Sequence, residues 1–202
     1  MRNYLGRSLR ANPNGDWPQV DPSAYIDPTA RVIGKVRIGA GVYMGPYSVV
    51  RADEADDHGD VSPIAIGPEC NVQDGVIIHA LGGTRVTIGR RTSLTHGCVI
   101  HGPCTIGQAC FIGFRTVIYK ATLGDGVFVG AGSLIQTIEL APRALIPPGV
   151  SILSKEDVLR LSGVTGPAEQ LFVEKVIAAN LKLAKDYNEL KKEQHCRHNE
   201  IS

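Results

Sequence analysis

A bulky aliphatic residue recurs at every sixth position of this chain, beginning at Ile26, Val32, Ile38, Met44 and Val50. After an interruption the pattern resumes at Ile66, Val72 and Ile78. A shortened unit precedes Ile88, Leu94, Ile100, Ile106, Ile112 and Ile118. The phase then slips by one to Leu123, Val129, Ile135, Ala141, Ile146 and Ile152. Gly often follows the aliphatic residue, as in Ile38-Gly39, Ile66-Gly67 and Ile106-Gly107. Two residues before it stands a small or β-branched side chain, such as Ala24, Ala30, Val42, Ser48 or Thr92. An amphipathic helix cannot produce a strict period of six. A parallel β-helix does: each unit gives one short strand and one corner, three units close a triangular coil, and stacked coils bury the aliphatic column.

The pattern divides the chain into an N-terminal arm (1–22), the β-helix (23–153) and a C-terminal turn and helix with a frayed tail (154–202). The expected fold is mainly β, with a C-terminal α-helix. Pro167 to about Lys192 reads as that helix. Val173, Val176, Ile177, Asn180, Ala184, Tyr187 and Leu190 form one stripe on it. Asn180 is the one amide on that apolar stripe, and a buried amide needs partners. Cys70, Cys98, Cys104 and Cys110 occupy the small position of the repeat, where a thiol serves as a compact apolar filler.

Composition narrows the function. The formal net charge is +1, which argues against nucleic acid as a partner. No apolar run approaches the roughly 20 residues of a membrane span. The arginines at the N-terminus have no apolar stretch behind them, so they do not read as a secretory signal. A cytoplasmic protein is the default expectation.

The residue after each inward aliphatic points outward, because side chains alternate along a strand. Arg51, Gln73, His79 and His101 occupy that position, and His96 lies two after Leu94. If residues 54–63 bulge from a corner, Val50, Ile78 and Leu94 share a face. Arg51 and His79 then stack in one column, His96 follows slightly offset, and His101 falls on the adjoining face. Three imidazoles on two faces do not easily converge within one subunit, but they could if a second copy abutted the edge. Neutral imidazoles suit zinc, with an open position for water. The predicted metal ligands are therefore His79, His96 and His101, at a seam between subunits. His58 belongs to a solvated acidic insertion (residues 53–60), and His195, Cys196 and His198 to the tail.

Several strings resemble the gamma-class carbonic anhydrases: Val50-Arg51-Ala52-Asp53-Glu54, Asn71-Val72-Gln73-Asp74-Gly75, His79-Ala80-Leu81, and Ser93-Leu94-Thr95-His96 through His101-Gly102-Pro103. Phe111-Ile112-Gly113-Phe114 and the C-terminal helix follow in the same style. The resemblance runs from about residue 20 to near the end. It implies a left-handed coil, a homotrimer, and three metal sites, each taking His79 and His101 from one subunit and His96 from its neighbour. It implies reversible hydration of carbon dioxide to bicarbonate by hydroxide held on zinc, with iron(II) or cobalt(II) as possible substitutes. Arg51 and Asp53 would form an interface salt bridge. Gln73 would orient the attacking water, Asp74 would support it, and Asn180 would help bind carbon dioxide or bicarbonate.

One feature departs from the family pattern. Some members carry a glutamate just after the first metal histidine as a proton shuttle, whereas this chain has Leu81-Gly82-Gly83. Glu54 matches a second family glutamate and could take the proton. A non-catalytic metal-binding scaffold and a hexapeptide acyltransferase are the alternative readings.

Overall fold

The computed structural model describes residues 8–199, with side-chain burial through residue 193. It is a left-handed parallel β-solenoid of about 7 turns, followed by helix. Every third strand joins the same face, giving sheets of 8, 7 and 7 strands. Neighbouring strands pair in parallel, with inward aliphatics stacked in register: Val50, Ile78 and Ile100 face one another in successive coils. All three are 0% exposed. Cys70, Cys98, Cys104 and Cys110 are buried at the small position, as the register requires. The recurring glycines let corners stack backbone on backbone. A Cβ on Gly89 would stand 2.5 Å from the Gln108 nitrogen of the next coil.

Two details of the expected register differ. The coil from His79 to His101 is not shortened, for the two histidines lie 22 residues apart, four more than three hexapeptides. The surplus forms an extended corner at residues 80–85. Near the end of the repeat Leu140, not Ala141, points inward, being 1% exposed.

Each face has a different outer surface. The second face, which includes Val86–Ile88 and Cys104–Ile106, presents the exposed hydroxyls of Thr87, Thr105 and Thr122. The third face, which includes Asn71–Val72 and Ser93–Leu94, is covered by helix α2, Pro167–Asn199. This helix runs seven residues beyond the expected end at Lys192. Tyr187 stacks on Tyr25, which stacks on Tyr43, and Val173 and Ile177 pack on Phe111. Arg91 bridges Glu69 of the coil and Glu174 of α2. The short helix α1, Lys155–Leu159, begins at a Ser154–Asp157 capping box. Val158 and the following Leu161 pack against the core.

Among the described residues, α2 does not reach the first face. Val49, Ile77, Val99, Val117 and Leu134 stand in one outward column along it. Ile77 is 43% exposed. A ladder of aliphatic side chains on an open sheet marks a surface that another protein surface can bury.

Candidate metal centre

Beside that apolar ladder runs a second outward column: Ile33, Arg51, His79, His101, Tyr119 and Gln136, each opposite the next in adjacent strands. His101 therefore shares a face and a column with His79. The expectation that it lies on an adjoining face is corrected. The cause is the extended corner at 80–85, which returns the chain to the first face one unit later than a shortened repeat would.

The two imidazoles meet. His79 Nδ1 lies 3.2 Å from His101 Nε2, and the rings are edge to face at 5.0 Å between centroids. Two nitrogens on one tetrahedral zinc, each about 2.0–2.1 Å from it, lie about 3.3–3.4 Å apart. The observed separation is close to that distance. His101 Nδ1 is 3.3 Å from the Gly102 carbonyl. Such a contact favours the tautomer that leaves Nε2 with its lone pair. His79 is buried, and that burial, with the Arg51 charge, holds its pKa below the usual imidazole value. The neutral ring is the form that can ligate a metal. Its Nε2 is buried without a hydrogen-bond partner.

The acidic insertion borders this pair. Arg51 Nη1 donates to Asp53 Oδ1 at 2.9 Å. Glu54 Oε1 lies 3.3 Å from His79 Nε2, and Asp53 Oδ1 lies 3.7 Å from it. The insertion is a tight hairpin, with an antiparallel bridge from Ala55 to Val61. Asp56 Oδ1 accepts from the backbone nitrogens of His58 and Asp60. His58 itself is exposed. The corner after His79 packs directly against the hairpin. A Cβ on Gly82 would stand 2.3 Å from the Ala55 carbonyl oxygen. That close approach explains why this corner carries glycine where an acidic side chain could otherwise stand.

His96 lies elsewhere. It sits on the corner that leads into the first face, before the strand Val99–His101, whereas His101 ends that strand. The width of the face separates His96 from the other two rings. Among the described residues no group of three His, Cys, Asp or Glu side chains could hold a metal within one chain. Gln73 and Asp74 occupy the same corner one coil earlier, and the Gly97 nitrogen donates to the Asp74 carbonyl. The Gln73 side-chain oxygen is buried without a partner. Asn180 is 9% exposed on α2, and its Nδ2 donates to the Val176 carbonyl at 2.8 Å. The helix itself thus satisfies that amide nitrogen.

Three neighbours of the site had no role assigned to them from the sequence. Asn71, two before Gln73, is 0% exposed, and neither polar atom of its amide finds a partner. Tyr119 follows Ile118 as His101 follows Ile100, and its ring meets His101 edge-on at 5.5 Å. Phe114 lies two after Ile112, the same offset as His96 from Leu94. The register could have found Tyr119 and Phe114, since both occupy positions already marked by a histidine. Asn71 gave only an amide at an outward position, and its burial depends on α2.

Comparison with known proteins adds the following. No family model matches the chain. A carbonic anhydrase of Methanosarcina thermophila is 33% identical over 90% of this chain and 82% of its own length. The carboxysome assembly protein CcmM of Synechocystis sp. is 36% identical over 88% of this chain, which spans only 27% of that protein. A hexapeptide transferase family protein of Anaplasma phagocytophilum superposes with a TM-score of 0.76, at 25% identity, over 90% of this chain and 98% of its own.

Proposed function

Because the chain belongs to the gamma-class carbonic anhydrase-like hexapeptide-repeat family, we propose that it hydrates carbon dioxide reversibly at a divalent-metal centre shared between subunits of a homotrimer. The observation that carries this reading is the His79–His101 pair, 3.2 Å apart, beside the apolar ladder of the first face, with no group of three candidate ligands among the described residues of one chain. His96, on the far corner, is free to complete the site of a neighbouring copy. The ladder from Val49 to Leu134 supplies the surface that a neighbour would bury beside the pair.

The donor set fits the ion. Three neutral imidazoles suit zinc, and they accept iron(II) or cobalt(II) as well. When bound, such an ion supplies the Lewis acidity that makes hydroxide available at neutral pH. The chain's own residues do the rest. Gln73, whose buried oxygen lacks a partner, accepts a hydrogen bond from the attacking water and fixes its direction. Asp74 supports this corner. Glu54, 3.3 Å from the His79 ring, receives the released proton at its carboxylate and gives it up to bulk water. The Arg51–Asp53 pair holds that edge of the seam. Asn180 of the covering helix contributes to the binding of carbon dioxide or bicarbonate. Stopped-flow hydration on protein loaded with zinc, cobalt or anaerobic iron tests the reading, and a rate no higher than buffer would refute it.

A second reading is a metal-binding scaffold without hydratase activity. The likeness to CcmM and the acid-free corner at Leu81-Gly82-Gly83 favour it. Stoichiometric metal with no hydration, together with a stably co-purifying partner, would select it.

A further inference from the structure

We propose that Phe114 is a positioning residue for His96, holding that imidazole in the orientation it needs to bind a metal across the subunit seam. The inference rests on the shared-site reading above. His96 has a difficult task there: its side chain is 54% exposed, on a corner, and must meet an ion held by another chain. A side chain free to rotate would lose that freedom on binding, at a cost in affinity.

The structure restrains it on two sides. Asp74, His96 and Phe114 occupy equivalent places on successive coils, and their corners are tied by Gly97 N donating to Asp74 O and Arg115 N to His96 O, both at 3.0 Å. Below the ring, Asp74 Oδ2 lies 3.7 Å from His96 Nδ1. Above it, the Phe114 ring is stacked at 5.4 Å between centroids and 19° between planes. Among the described residues no hydrogen-bond or ion-pair partner meets the His96 Nε2. The Phe114 backbone is itself fixed, because Gly113 packs so closely on the next coil that a Cβ there would stand 2.6 Å from the Ala131 nitrogen.

Packing within the chain does not require a ring here. Phe114 is 49% exposed, so half of a large apolar surface faces water. Its ring stacks on His96, and it also lines an apolar groove together with Phe111, Phe128 and Phe172. An exposed aromatic whose contact is a candidate ligand is explained if its function is to orient that ligand, as groups behind metal-bound imidazoles commonly do.

Cobalt titration of metal-free protein, followed by visible absorption, tests this with two variants and with sedimentation as a control. Phe114→Leu keeps an apolar side chain but removes the planar stack. It should remain assembled and lose about 10- to 100-fold in cobalt affinity, the range for removing a group that orients a ligand. Phe114→Tyr keeps the stack and should bind as the wild type does. Wild-type affinity in Phe114→Leu overturns the proposal, and so does equal impairment of Phe114→Tyr. Dissociation of Phe114→Leu into monomers also overturns it, since the ring would then act by packing the seam. A wild-type protein that takes up no cobalt refutes the shared-site reading, and this inference with it. Normal wild-type uptake with an indifferent Phe114→Leu refutes this inference alone.

Discussion

His79 and His101 stand opposite each other in adjacent strands of one face, with ring nitrogens 3.2 Å apart. The strand register fixes this pairing more firmly than any single hydrogen bond could, since the backbone ladder sets both Cα positions. It also means that neither ring can turn toward His96 without leaving its partner.

If each site takes its pair from one subunit and its third ligand from the next, two defective chains should complement. His96→Ala and His101→Ala homotrimers should bind no stoichiometric cobalt. Any mixed trimer contains one seam where an intact His79–His101 pair meets an intact His96, so co-assembled chains should recover one ion per mixed trimer. Failure of purified mixed trimers to bind, or retention of metal by His96→Ala alone, would contradict the arrangement.

The uncovered ladder on the first face should be the assembly surface. Ile77→Lys places a charge where an apolar neighbour is expected, and burying an unpaired charge is strongly disfavoured. The variant should sediment as a folded monomer with unchanged circular dichroism and lost metal binding. Intact trimers would show that the ladder faces solvent.

Gln73→Leu separates binding from chemistry. The side chain is close in size but cannot hold a water, so metal content should stay stoichiometric. Hydration should fall by about 10²–10³-fold, the usual effect of losing one directing hydrogen bond at a reacting oxygen. A small change in rate would remove Gln73 from the reaction.

Burial pushes the thiols of Cys70 and Cys98 up to about 12, and that of Cys110 to about 11. A Cys196→Ser variant should therefore show no thiol reactive toward an aromatic disulfide at pH 8, and four after denaturation. Reaction in the native state would place one of these side chains outside the core.

Tyr25 and Tyr43, which anchor α2, have phenols pushed up to about 12, chiefly by burial and then by Asp27 and Asp74 respectively. Their folded values lie above the unfolded value of about 10. The unfolded chain therefore loses these protons first, so their contribution to stability is complete below pH 10 and disappears between pH 10 and 12. Absorbance at the phenolate band should show them ionising late, together with loss of helical circular dichroism. Ionisation near pH 10 with α2 intact would refute the account.

The period of six, the small position filled by four cysteines and the outward placement of Arg51, Gln73, His79 and His101 were legible in the chain itself. They follow from strand alternation and from the need to fill a narrow core, both local rules repeated many times. Which face each histidine occupies was not legible. It depended on whether residues 80–85 shorten or lengthen a coil, and that is decided by how the corner packs against the hairpin at Ala55, far away in sequence. The same holds for the first face: its five outward aliphatics look like ordinary strand residues until the structure shows that α2 covers a different side. Sequence thus determined the coil and its candidate ligands. Only the tertiary structure decided which two imidazoles meet, because contacts between coils, not the repeat, set the phase of each turn.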